Sequence, residues 1–92
     1  MIYYIYELLD QRDEIVYYGM TINPQRRLKE HQKGLTTLHK QLYKRMIKRG
    51  VKSLKMNIIG EERKMNRAKW RETLFIVQAK LDNKNILNNK IY

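Results

Sequence analysis

The chain contains no cysteine in its 92 residues. Disulfides are therefore excluded, and so is a metal centre built on thiolates. Any metal must be held by oxygen or imidazole donors. Acidic residues are scarce as well: nine Asp and Glu stand against twenty Lys and Arg, a formal net charge of +11. Long hydrophobic runs are also missing. The N-terminal stretch MIYYIYELL is apolar but short of the ~20 residues that span a bilayer, and it has no basic leader. No membrane segment is expected, and the cytoplasm is the expected location.

What is present is positive charge, unevenly placed. From Lys33 to Lys55 inclusive there are eight Lys or Arg and no acid. The acids gather near the start (Glu7, Asp10, Asp13, Glu14) and at Glu61 and Glu62. One side of the molecule is expected to be far more positive than the other. Such a field fits a polyanion, nucleic acid first and an anionic membrane second. The membrane ranks last because there is no lipidation motif and no strongly amphipathic basic helix with Trp or Phe anchors. The length allows a single domain, residues 1–92, with one modest core.

The pattern along the chain predicts the order β-β-α-α-β-α. Residues 2–9 and 14–18 are rich in Ile and Tyr, and the polar break Asp10-Gln11-Arg12-Asp13 between them predicts a hairpin. Asn23-Pro24 reads as an N-cap followed by Pro at the first helical position, with Gly34 as the helix stop. Thr36 or Thr37 caps a second helix whose apolar positions include Leu38, Leu42, Tyr43, Met46 and Ile47, and Gly50 ends it. A third strand is expected over 53–59. A long helix follows from about Arg63 to Leu81, with Trp70, Leu74, Val77 and Leu81 as one apolar stripe. Ile86, Leu87 and Ile91 are candidate anchors of an Asn/Lys-rich tail. The fold class is α/β of the α+β type, a small antiparallel or mixed sheet flanked by three helices.

A few residues suggest chemistry. Tyr6 and Tyr17 lie on the two hairpin strands. Arg27 and His31 are four apart and share a helix face. Glu72 is a lone carboxylate beside the apolar stripe of the last helix, and Asn88 follows Leu87 in the tail. Taken singly, each has an ordinary structural explanation: packing tyrosines, exposed charges, a turn asparagine.

Together they resemble the GIY-YIG nucleases. The resemblance is carried by Tyr4-Ile5-Tyr6, by Tyr17-Tyr18-Gly19, and by the helix Arg26-Arg27-Leu28-Lys29-Glu30-His31. It thins through the basic middle, then returns at Glu72-Thr73-Leu74-Phe75-Ile76 and at Ile86-Leu87-Asn88. The overall pattern is similar to the nuclease domain of phage homing endonucleases without an appended recognition domain. Two departures stand out: Tyr4 replaces the first glycine, and Tyr18 the middle isoleucine. Another register places the first motif at Met1-Ile2-Tyr3; the shorter hairpin loop favours Tyr6. Glu61 and Glu62 compete with Glu72, but read better as partners of a helix N-terminus.

This resemblance implies a metal-dependent endonuclease acting on DNA as a monomer or transient dimer. Tyr6, Tyr17, Arg27, His31 and Glu72 would be its catalytic set, with Gly19 and Asn88 structural. Glu72 would hold one Mg²⁺ or Mn²⁺ ion, and Arg27 would meet the phosphate. Which of Tyr6, Tyr17 and His31 is the general base stays open. Arg26, Lys40, Lys44, Arg45, Lys48 and Arg49 are the expected DNA contacts. The alternative is a binding or accessory module of the same fold without catalysis, which would need the basic stretch but neither Tyr6 nor Glu72.

Overall fold

A computed structural model describes residues 1–88; Ile91 lies outside the described residues. The hairpin forms as its pattern predicts. Strand β1 (Tyr3–Leu9) pairs antiparallel with β2 (Ile15–Thr21). The buried Asp10 builds the turn, its carboxylate accepting from the backbone N–H groups of Arg12 (2.8 Å) and Glu14 (3.0 Å). Burial alone would raise the Asp10 pKa; the Arg12 guanidinium and the two N–H groups outweigh it and hold the carboxyl below its ordinary value.

Helix α1 (Pro24–Thr37) starts where Asn23 accepts from the Arg26 N–H at 3.2 Å. The sequence predicts Gly34 as its stop, yet the helix runs through Gly34 to Thr37 and ends at Leu38, whose φ is 54°. Gly34 serves a different purpose: a Cβ there would collide with the Tyr43 ring. Its bare backbone lets α1 approach α2 (Gln41–Lys48) closely. Consequently α2 begins later than Thr36 and Thr37 suggest, with no side-chain cap at Lys40. Gly50, with φ 93°, ends the segment as expected.

Strand β3 (Lys55–Glu62) pairs antiparallel with β1, giving the order β2-β1-β3 with β1 in the centre. The sheet is thus wholly antiparallel. Strand β3 also reaches three residues further than the alternation predicts, because Glu61 and Glu62 lie opposite Tyr4 and Tyr3. These two acids are strand residues, not helix-start residues, and Glu62 pairs with Arg71 at 3.4 Å.

Helix α3 (Met65–Leu81) lies across all three strands, and its apolar stripe does not face them. Trp70, Leu74 and Leu81 point to solvent, 63%, 48% and 72% exposed. The buried residues are Ala68, Glu72, Ile76 and Ala79. Alanines let the helix axis approach the sheet; Trp and Leu at those positions would hold it off at the packing density of a core. Among the described residues no helix is long and apolar enough to cross a membrane.

Two apolar clusters result. One joins Tyr6, Leu8 and Val16 of the hairpin to Tyr43 and Met46 of α2, Val51, Leu54 and Leu87. The other joins Tyr18 to Ile76, Ala79 and Ile86. Ile86 and Leu87 are buried, as their apolar character predicts. Just beyond α3, the Leu87 N–H donates to the Val16 carbonyl at 2.8 Å. Asn88 then pairs with the backbone of Tyr18 twice, accepting from its N–H (2.9 Å) and donating to its carbonyl (2.8 Å). Residues 87 and 88 thereby close the outer edge of β2. Truncation in Asn88→Ala leaves both buried Tyr18 groups without that partner. We expect a loss of about 2–4 kcal/mol in urea unfolding, read as a lower midpoint at unchanged m value.

Candidate active site

Tyr6 sits on the central strand and is almost fully buried. Its cross-strand partner is Gly19, and a Cβ at Gly19 would overlap the phenol ring and hydroxyl. Glycine at this position makes the space into which Tyr6 folds.

His31 projects from α1 and has no exposed surface. Its Nε2 lies 2.8 Å from the Tyr6 hydroxyl and its Nδ1 2.9 Å from the Tyr43 hydroxyl. The rings of Tyr6, Tyr17 and Tyr43 meet the imidazole edge-on, with centroids 5.7, 5.7 and 5.9 Å away. Burial depresses the His31 pKa from 6.5 to about 4, and Arg27 and Lys40 push in the same direction. At neutral pH the ring is therefore uncharged, with one N–H and one lone pair. It must donate to one phenol and accept from the other. Tyr43 was legible only as an apolar helix position; nothing in its spacing marked its hydroxyl as the second partner of His31.

Arg27 is half-buried and close enough to Tyr6 for its guanidinium to favour the ionised phenol. Its other neighbour is Glu30, at 3.5 Å. Burial raises the Tyr6 pKa well above its ordinary value; Arg27 opposes this, while Tyr17 and Glu72 add to it. Glu72 reaches the group from α3 and is 7% exposed. Five candidates from four elements (Tyr6, Tyr17, Arg27, His31 and Glu72) thus belong to one electrostatic neighbourhood. Tyr3, the alternative in the other register, lies further along β1, opposite Glu62. Asn88 stands apart from this neighbourhood, on the outer edge of the strand that carries Tyr17.

An open cleft of about 240 Å³ adjoins Arg27 and is lined also by Lys33, His39, Lys40 and Tyr43. Lys33 and His39 were not singled out in the sequence, since their place here depends on how α1 ends. A larger hollow of about 440 Å³ is lined by Ile2, Glu61, Glu62, Arg63, Lys64 and Arg67, and includes none of the five candidates. Of the expected DNA contacts, Lys44, Arg45 and Lys48 are exposed on α2, and Lys40 lines the cleft. Arg26 pairs with Glu30 at 3.5 Å, and Arg49 donates to the Asn85 carbonyl.

Among the described residues, no group of three or more His, Asp or Glu is arranged to hold a metal. Both nitrogens of His31 already face hydroxyls. Among the five candidates the donors that remain are hard oxygens, with Glu72 as the carboxylate. That set cannot make a closed zinc cage. It does suit Mg²⁺, which keeps several waters and needs only one or two protein carboxylates when a phosphate completes its shell.

A family model, the GIY-YIG catalytic domain, matches residues 2–85. Comparison with curated proteins and with solved structures gives no significant match. The chain belongs to the GIY-YIG family and so to a nuclease superfamily, whose members generally use a divalent metal.

Two measurements test this electrostatic account. The folded His31 pKa is below the unfolded one, so the unfolded chain takes up this proton first as pH falls. The contribution is fully present above pH 6.5 and declines toward pH 4. We expect stability to fall by about 2–3 kcal/mol across that window, and the slope to flatten in His31→Gln. Asp10 acts lower, at and below its ordinary 3.8. In Tyr43→Phe the ring stays but the Nδ1 partner goes; imidazole ¹⁵N shifts should report an altered tautomer, with about 1–2 kcal/mol lost.

Proposed function

We propose that this domain is a divalent-metal-dependent endonuclease that hydrolyses phosphodiester bonds in DNA. The observation that carries the reading is the gathering of Tyr6, Tyr17, Arg27, His31 and Glu72 beside an open basic cleft. Phosphodiester hydrolysis needs an activated water, stabilisation of charge on the phosphoryl oxygens, and help for the leaving oxygen.

Arg27 takes the phosphate. Its guanidinium stays charged and offers a planar fork to two oxygens. Tyr6 is the general base in this scheme, with Tyr17 orienting water or phosphate. At rest the buried phenol holds its proton firmly, so its deprotonation requires an acceptor. His31 Nε2 lies at hydrogen-bond distance for that purpose. Arg27 is also one of the charges that depress the His31 pKa. A phosphate bound to Arg27 offsets that charge, so substrate binding itself makes His31 a better proton acceptor. Glu72 would hold the divalent cation, which when bound supplies positive charge for the phosphoryl and leaving oxygens. Gly19 keeps the Tyr6 position open, and Asn88 fixes the edge of the strand bearing Tyr17.

Lys44, Arg45 and Lys48 on α2, with Lys40, form the track that receives the flanking phosphates, with Arg26 and Arg49 at its margins. A cytoplasmic monomer, pairing transiently on DNA, completes the proposal.

A supercoiled-plasmid assay separates cutting from binding alone. Nicking should require Mg²⁺ or Mn²⁺ and stop in EDTA. Glu72→Ala, Arg27→Ala and Tyr6→Phe should each lose about 10²-fold or more in rate. Wild-type cleavage by Glu72→Ala would refute the site; DNA binding without cleavage by the unaltered domain would refute the enzyme. Binding strength should also fall steeply with salt. Replacing Lys44, Arg45 and Lys48 together with Ala should flatten the log–log salt slope by about 3, measured by fluorescence anisotropy.

A further inference from the structure

Helix α3 is apolar on two opposite sides. One side, Ala68, Glu72, Ile76 and Ala79, is buried. The other carries Trp70, Leu74, Val77 and Leu81, of which Trp70, Leu74 and Leu81 are largely exposed. At 3.6 residues per turn these four positions fall within about 60° of one another, roughly opposite the buried side. Their spacing of four, three and four residues is that of a heptad seam.

We infer that the outer face of α3 docks a helix of a partner protein, one with its own apolar seam and acidic flanks. The spacing selects a helix as the counterpart, because knobs at heptad positions fit the holes of another helix. The charge selects an acidic one. From Arg63 to Leu81 there are six Lys or Arg, and the only acid is Glu72, on the buried side. The seam is bordered by Arg67, Lys69, Arg71, Thr73, Gln78 and Lys80. Arg71 also meets the Glu61 carbonyl and Glu62 carboxylate, and Lys80 the Asn88 carbonyl, but both keep their charge. A second copy of the chain would bring the same cations and its own net +11 against these borders. An anionic membrane would be better served by an apolar face 100° wide or more; this one is a narrow seam.

The seam and Glu72 lie on opposite sides of α3, so a docked helix leaves the candidate active site clear. Such a partner tethers the domain without blocking it, and can bring it to a chosen site on DNA.

Trp70 is the only tryptophan in the chain, so its fluorescence reads the seam directly. The probe is a three-heptad peptide with Leu at the seam and Glu on both flanks, whose own charge prevents self-pairing. Two controls accompany it: the same residues scrambled, and a Lys-flanked version. We expect a saturable blue shift with the Glu-flanked peptide only, and about tenfold weaker binding to Leu74→Ser. The seam lies on the opposite side of α3 from Glu72 and the probe carries no phosphate, so this readout stands whether or not the domain cuts DNA. An equal response to the scrambled or Lys-flanked peptide overturns the inference. So does silence with every peptide, a response to phosphatidylglycerol vesicles without one to the peptide, or dimerisation of the protein alone that is lost in Leu74→Ser.

Discussion

The hydrogen bond between Tyr6 and His31 is the contact around which this small domain is arranged. It ties the central strand to the first helix through groups buried on both sides. A buried imidazole with an unmet nitrogen would be costly, and the Tyr43 hydroxyl meets the second one. That requirement propagates outward. Tyr43 reaches His31 only because Gly34 carries no side chain, and Tyr6 reaches it only because Gly19 carries none. Two glycines, two tyrosines and a histidine therefore form one packing problem. The uncharged state of the imidazole comes from the same burial that fixes its place.

The elements were largely legible because they are written in local rules. The β-branched and aromatic run before Asp10, the Asn23-Pro24 start and the Gly50 stop each act on neighbouring backbone. What could not be read depends on distant partners. Gly34 looks like a helix stop until Tyr43 is known to lie against it. Glu61 and Glu62 look like helix-start acids until their pairing with β1 is seen. The four-residue spacing of Arg27 and His31 showed that they share a face, but not that a phenol from another strand would meet each of them. Family resemblance supplied the membership of the candidate site; geometry supplied Tyr43 and the cleft beside it.

The face of α3 is the most instructive difference. Hydrophobic periodicity identifies a side that wants cover, and does not say what covers it. In a chain of this size, the sheet takes the face of α3 on which Ala68 and Ala79 allow close approach beside Ile76 and Glu72. Trp70, Leu74 and Leu81, which carry the stronger periodic signal, are left outside. Such an apolar surface on a strongly basic protein has a cost in solubility, one reason to expect a counterpart for it.

The closure of β2 by residues 87 and 88 also sets an order of assembly. The hairpin with both site tyrosines is local and can form within microseconds. The cap on its outer edge joins Tyr18 to a residue 70 positions later and must await the rest of the sheet and α3. Until then the tyrosine strand presents bare amide and carbonyl groups, the kind of edge that recruits foreign strands. A chain clipped before Leu87 would keep that edge open for good. Such damage would show itself as self-association through the uncovered strand, whatever became of the candidate site.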